Sequence, residues 1–258
     1  MTNYPQLYLA LAGAVWLYMT AAFLGGAYLK RDDVVDSAWG PGFIVVALLT
    51  LLIENNHSLV QILTIIFVTI WGLRLFIHIS YRNSQKKEDH RYQNWKAKWG
   101  GNALTQAYLR IYMLQGLIML LVSTPLVAIL VCNHKFNQPL AILGFGLWGF
   151  GIFYESVADY QLLKFVQHKK PGQIMQSGLW RYSRHPNYFG EITLWWGAGL
   201  VALAANQWWA LIGPATITFF LIKVSGVPLL EKHYATNPEY QKYKRRTLML
   251  FPFPPKKN

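Results

Sequence analysis

The chain has 258 residues, of which 53% are hydrophobic and 16% aromatic, while only 14% are charged, against about 25% in an ordinary soluble domain. That balance argues against a soluble globular enzyme and excludes a disordered chain. The charge is one-sided, with 24 Lys and Arg against 11 Asp and Glu for a net +13, but it lies between long apolar runs, so membrane lipids and not nucleic acid are the expected partner.

A helix needs about 20 apolar residues to cross a hydrocarbon core about 30 Å thick. Seven runs meet or approach that length: 7–29, 38–53, 59–80, 108–131, 140–157, 187–205 and 208–224. The second, fifth and seventh are short and would span with little tilt or with help from their flanks. Lys30 and Arg31 follow the first run. Arg82, Lys86, Lys87, Arg91, Lys96 and Lys98 lie between the third and fourth, with Arg110 just inside the fourth. Lys164, Lys169, Lys170, Arg181 and Arg184 lie between the fifth and sixth. The tail adds Lys232, Lys242, Lys244, Arg245, Arg246, Lys256 and Lys257, whereas the alternate loops 54–58, 132–139 and 205–207 hold Lys135 alone.

Lys and Arg collect in cytoplasmic loops, so this pattern predicts seven spans with the N-terminus outside and the C-terminus cytoplasmic. No Lys or Arg precedes Lys30, unlike the charged start of a signal peptide, and the first span is expected to stay. There is no internal repeat, and the single cysteine, Cys132, allows no internal disulfide. The expectation is an all-α, multi-pass membrane protein forming one domain over 1–258, in a bacterial inner membrane.

The chemistry-bearing residues gather on the same predicted face. Asp36-Ser-Ala-Trp39-Gly40 opens the second span and puts an acid at its cytoplasmic mouth, beside glycines that permit close helix approach. Glu88-Asp89-His90-Arg91-Tyr92 alternates opposite charges in what reads as a loop, either salt-bridged or part of a site. Glu155 and Asp159 are four apart at the end of the fifth span and share a face if that helix continues. The richest segment is 177–191, where Pro186 suits a first helical turn and Asn187 and Glu191 then fall on one face near a positive helix end. Arg181, Arg184 and His185 precede it. An anionic, nucleotide-like ligand fits this chemistry, and so does a capped helix start with arginines facing lipid headgroups. Neither soluble nucleotide fingerprint is present, and no His or Cys cluster has metal-ligand spacing.

These residues carry a resemblance. From about Asp32 to Pro252 the chain resembles the DUF1295 group of membrane proteins, related to the C-terminal region of steroid 5-alpha-reductases and more distantly to isoprenylcysteine carboxyl methyltransferases. The marks are Asp36-Ser-Ala-Trp39-Gly40, Trp71-Gly-Leu-Arg74, Glu88 to Tyr92, Gly178 to Glu191, and the tail with Pro238-Glu-Tyr240 and Lys244-Arg245-Arg246. The resemblance implies a membrane reductase that takes NADPH from the cytoplasmic side and reduces a conjugated double bond in a lipid-soluble substrate, steroid-like, isoprenoid or fatty.

By the same resemblance Asp159, Tyr182, Asn187 and Glu191 would line the cofactor pocket, with Lys169 and Lys170 as looser matches. Arg91, Arg184, His185 and Arg245 would join them by grip or orientation. The Gln-Glu pair and Tyr that polarise the enone in steroid reductases have no counterpart here, where Asp36, Trp39 and Trp71 stand instead. Asp36, then Tyr92 or Tyr188, are the expected proton donors or carbonyl polarisers. Two alternatives stand: an S-adenosylmethionine methyltransferase using the Arg-His-Pro-x-Tyr loop with Glu231, Tyr240 and Tyr243, and a non-catalytic lipid- or cofactor-binding membrane protein.

Overall fold

The computed structural model describes residues 4–55, 57–133 and 135–256, and Lys257 of the basic tail lies outside them. Among the described residues the chain is helical and has no strand. Six helical segments are long and apolar enough to cross a membrane: Tyr4–Leu29, Val34–Glu54, Leu59–Ser84, His90–Val122, Gln138–His168 and Trp208–His233. The predicted sixth span corresponds to helix Pro186–Leu203, 18 residues whose apolar content is diluted by Asn187, Glu191, Thr193 and three glycines. It is not among the six.

Contacts divide the chain into two compact units. The first, 1–136 with 205–212, contains α1 (Tyr4–Leu29), α2 (Val34–Glu54), α3 (Leu59–Ser84), α4 (His90–Trp99), α5 (Ala103–Ala107), α6 (Leu114–Val122) and α7 (Thr124–Leu130). Helices α2 and α3 approach so closely at Gly40 and Gly72 that a Cβ on either would fall within 3 Å of the other's backbone oxygen. Ser58 and Gln61 form a capping box at the start of α3. The Gln61 amide is buried and donates to the carbonyls of Leu130 (2.9 Å) and Cys132 (3.1 Å), taking up carbonyls left at the end of α7. A π-helical turn over Tyr108–Met113 joins α5 to α6.

The second unit, 137–204 with 213–258, contains α8 (Gln138–His168), α9 (Pro186–Leu203), most of α10 (Ile212–Phe219), α11 (Val227–His233) and α12 (Pro238–Arg246). Its frame is the α8–α9 pair. Gly144 and Gly151 of α8 meet Gly190 and Gly197 of α9 with room for no side chain: a Cβ on Gly151 would lie 2.5 Å from the Leu194 nitrogen, and one on Gly197 2.5 Å from the Trp148 nitrogen. Helix α8 runs 11 residues past the predicted end at Val157, because Leu162, Leu163, Phe165 and Val166 keep an apolar stripe after the uniform hydropathy stops.

Candidate functional site

In the first unit, three acids at the α1–α2 turn and the start of α2 organise the polar groups. The segment read as a charged loop contains α4, whose N-cap is Asp89 accepting from the Arg91 amide at 3.0 Å. The cap sets Arg91 and Tyr92 on the first turn. The Tyr92 hydroxyl donates to Asp36 at 2.7 Å, and the Arg91 guanidinium lies 3.6 Å from Asp36 and 3.2 Å from Asp89. The structure thus joins three sequence-predicted site residues, Asp36, Arg91 and Tyr92.

Around them, Arg31 donates to both oxygens of Asp33 (3.0 and 2.9 Å), and Lys96 bridges Glu88 (2.7 Å) and Asp32 (3.1 Å). Burial raises the Asp32 carboxyl above its ordinary range against the opposing pull of Lys96. At Asp89 burial acts the same way, but the bonds from Arg91 outweigh it and hold the carboxyl below that range. Charge-assisted hydrogen bonds contribute about 1.5–3 kcal/mol. Tyr92→Phe is therefore expected to destabilise the protein by about 2 kcal/mol in detergent thermal denaturation, and by clearly less in an Asp36→Asn background. Equal losses in both backgrounds would mean the pair does not couple.

In the second unit the 178–185 loop is fixed from both sides. From α8, Gln161 accepts from the Leu179 amide (2.9 Å) and the Ala158 carbonyl accepts from the Trp180 indole (3.0 Å). Gly178 sits at φ +60 directly against Gln161, a position for a residue without a side chain. From the tail, the Leu248 carbonyl accepts from the Arg184 amide (3.0 Å), the Tyr182 carbonyl from the Phe253 amide (2.9 Å), and the Leu250 carbonyl from the Ser183 hydroxyl (2.7 Å). The Tyr243 hydroxyl donates to the carbonyls of Trp180 and Ser183.

Pro186 opens α9 as predicted, and Asn187 donates to Asp159 at 3.3 Å, so two predicted cofactor residues from distant parts of the sequence are joined. Asp159 and Glu155 are buried in α8; Glu191 lies one turn beyond Asn187 and is half-buried. Tyr182, Lys170 and Arg245 are exposed. Arg184 is buried and faces protein groups. Its Nε donates to Glu231 at 3.0 Å and its Nη1 to the Thr247 carbonyl at 2.6 Å, while Lys244 holds the other Glu231 oxygen at 2.6 Å. This partner, Glu231, lies 47 residues on, outside any local sequence window around Arg184. The tail pattern Asn237-Pro238, an N-cap followed by a first-turn proline, puts Tyr240, Tyr243 and Lys244 on α12, whereas Glu231 lies on α11 and no local pattern pairs it with Arg184.

His185 is buried, stacked on Tyr188 with ring centroids 5.4 Å apart and planes 12° from parallel. Burial lowers its pKa from 6.5 to about 4, with Glu231 opposing the shift and Arg184 adding to it. Between those values the unfolded chain binds a proton that the folded chain excludes. The contribution is complete above pH 6.5 and is lost as the pH falls toward 4, by at most about 3 kcal/mol. Thermal denaturation at pH 4 to 7 is expected to show a steeper loss for the wild type than for His185→Gln; identical slopes would refute the assignment. Among the described residues no group of His, Cys, Asp and Glu is placed to hold a metal ion.

Apolar helices of spanning length with buried, mixed-sign polar clusters at their ends define a multi-pass helical membrane protein. The family described as "Protein of unknown function (DUF1295)" matches residues 6–247, and the chain belongs to it. It is similar to 3-oxo-5-alpha-steroid 4-dehydrogenase 1 of Macaca fascicularis, 31% identical over 121 residues that make up 45% of this chain and 42% of that protein. The Homo sapiens protein of the same name is 30% identical over 121 residues, 45% of this chain and 43% of the relative. The chain thus covers less than half the length of these curated relatives. No solved structure matches it significantly.

Proposed function

We propose that the chain is a membrane oxidoreductase that uses NADPH to reduce a conjugated C=C bond in a lipid-soluble, steroid-like or isoprenoid substrate. The observation that carries this reading is the Asn187–Asp159 pair at the start of α9, with Glu191 one turn on, in a chain similar to the steroid 4-dehydrogenases. The fit lies in the donor set. A buried carboxylate and a carboxamide at a positive helix end can accept from ribose hydroxyls and pair with an amide. We assign Asp159, Tyr182, Asn187 and Glu191 to the cofactor, with the exposed cations of Lys170 and Arg245 available to its phosphates.

Arg184, already engaged by Glu231 and backbone carbonyls, is assigned to holding the loop. When bound, the dinucleotide supplies hydride to the β carbon of the substrate. The chain's part is to orient it, exclude water and stabilise charge developing at the carbonyl, for which Tyr188 is the proposed group in the second unit; in the first unit Asp36, fixed by Arg91, and Tyr92 are the proposed proton-donating pair. In this reading the chain has seven spans with the N-terminus outside, supported by the placement of Lys and Arg.

A second reading, an S-adenosylmethionine methyltransferase, draws support from the Arg184–Glu231 pair, since it unites the Arg-His-Pro loop with the C-terminal Glu helix. Detergent-purified protein separates the two. A ligand at 100 times its dissociation constant stabilises by about 2.7 kcal/mol. NADPH is expected to do so, and Asn187→Ala and Glu191→Ala to weaken that response without unfolding the protein. Stabilisation by S-adenosylmethionine in place of NADPH would select the second reading, and wild-type NADPH affinity in both variants would sink the residue assignment.

A further inference from the structure

The first unit carries an aromatic recess at the end of α1 away from the acid cluster. Tyr4 and Tyr8 stand one turn apart on one face at the start of α1, and Trp209 of the single 3₁₀ turn Trp208–Leu211 meets both. The Trp209 ring centroid lies 6.3 Å from that of Tyr4 with the planes 89° apart, and 6.5 Å from that of Tyr8 with the planes 67° apart. Its indole N–H donates to the Gln207 side chain at 2.8 Å, which fixes the ring. With Gln207 the three rings line an open recess of about 370 Å³, within the roughly 300–1,000 Å³ of small-ligand sites.

Two further observations point to an occupant. The Tyr8 hydroxyl is shielded from solvent and has no hydrogen-bond partner among the described residues, an uncommon state for a buried donor. Glu54, the last residue of α2, lies close enough to Tyr4 for its carboxylate to act on the phenol electrostatically. The recess therefore offers ring faces that attract a cation, a carboxylate that adds to that attraction, and a hydroxyl with a proton to donate to an oxygen. An anion finds little to hold it, since Lys135 stands alone among Lys and Arg in segments 54–58, 132–136 and 205–207 of this unit. A purely apolar ligand would leave the hydroxyl unpaired. What fits is a cation joined to an oxygen acceptor.

Position selects the source. The spanning segments Tyr4–Leu29 and Trp208–His233 both begin at this recess, so it stands at the level of phospholipid headgroups. The turn that carries Asp32 and Asp33 is roughly 38 Å away along α1. Single Tyr and Trp side chains are common at such a level, but here three rings converge from two segments on one space.

We propose that this recess holds the headgroup of a zwitterionic phospholipid, its ammonium against the rings of Tyr4 and Trp209 and a phosphate oxygen accepting from the Tyr8 hydroxyl. The proposal is independent of the reductase reading. The test is native mass spectrometry of the full chain in detergent, titrated with dioctanoyl phosphatidylcholine and phosphatidylethanolamine. Phosphatidylglycerol with the same acyl chains is the control, expected to bind at the basic clusters elsewhere.

Tyr4→Leu and Trp209→Leu are each expected to weaken the zwitterionic lipids about tenfold, and Glu54→Gln and Tyr8→Phe about threefold to fivefold. Phosphatidylglycerol binding should be unchanged in all four. Tyr8→Phe removes only the unpaired hydroxyl, so it keeps the test alive if a ring deletion shifts the melting transition. Failure of the wild type to bind either zwitterionic lipid would overturn the proposal, as would wild-type affinity in Tyr4→Leu and Tyr8→Phe. An equal loss of phosphatidylglycerol would reduce the recess to a general lipid contact and overturn it too. Displacement of the lipid by free tetramethylammonium at the concentration of the lipid itself would assign the recess to a soluble cation instead.

Discussion

Gly190→Ala is expected to force α9 off α8 and to destabilise the protein by about 3 kcal/mol, the upper part of the range for overpacking. The added Cβ would lie 2.6 Å from the Glu155 nitrogen and 2.8 Å from its Cα, and backbone atoms of a 31-residue helix cannot rotate aside as a side chain can. Gly151→Ala meets the Leu194 nitrogen and the Gly190 oxygen at 2.5 and 2.6 Å and is expected to behave alike. Gly146→Ala is the control. It lies on the same helix with nothing within 4 Å of its Cβ, so it should gain up to about 1 kcal/mol from helix propensity. Thermal denaturation in one detergent orders the three variants, and a neutral Gly190→Ala would mean the helices do not approach this closely. Separation at Gly190 would also lengthen the Asn187–Asp159 bond one turn away, so under the proposed function NADPH binding falls along with stability.

Arg184→Ala carries the second large effect. It removes one of the two cations on a largely buried Glu231, whose side chain is 16% exposed and keeps Lys244 at 2.6 Å, together with the bond to the Thr247 carbonyl. Breaking a buried pair from one side costs about 3–5 kcal/mol when the remaining charge is uncompensated, and with Lys244 still on Glu231 the expected loss is at the lower end, about 3 kcal/mol. Arg184→Lys is expected to recover little, since an ammonium cannot donate in two directions from a planar fork. The double variant Arg184→Ala with Glu231→Ala should lose less than the sum of the two single losses. Additive losses would show that the pair contributes no coupling. Were Arg184 instead a direct phosphate contact, its loss would lower cofactor affinity while leaving the melting transition in place.

Much of the architecture is legible in the sequence because hydropathy and charge report the solvent, and a bilayer changes solvent sharply. The start of α9 was readable from Pro186, and Asn187 and Glu191 do lie on consecutive turns. Hydropathy failed where helices continue into water. The ends of α8 and of α3 run past their apolar segments, and α4 hides in a charged stretch because its stability comes from the Asp89 cap and ion pairs and not from burial. In the site, the Asp36–Tyr92 and Asp159–Asn187 pairs involve residues singled out in advance, but the pairings were not visible, since sequence separations of 56 and 28 lie beyond any helical periodicity. The tail was legible as positive charge and, through Glu231, Tyr240 and Tyr243, as a candidate ligand segment, but not as a clasp on the 178–185 loop. Its work in the structure is done mostly by backbone carbonyls, which every residue has and no sequence pattern marks.

That clasp sets an order of events during synthesis. The Ser183 hydroxyl closes on carbonyls 66 and 67 residues downstream, so the 178–185 loop is left without its outer half while α9, α10 and α11 are being made. At about 5–20 residues per second the gap lasts roughly 3–13 seconds. Glu231 follows Arg184 by 47 residues, so for about 2–9 seconds of that interval the Arg184 guanidinium also stands without its carboxylate partner. The tail therefore both neutralises this arginine and closes the loop, two steps that the order of synthesis separates in time.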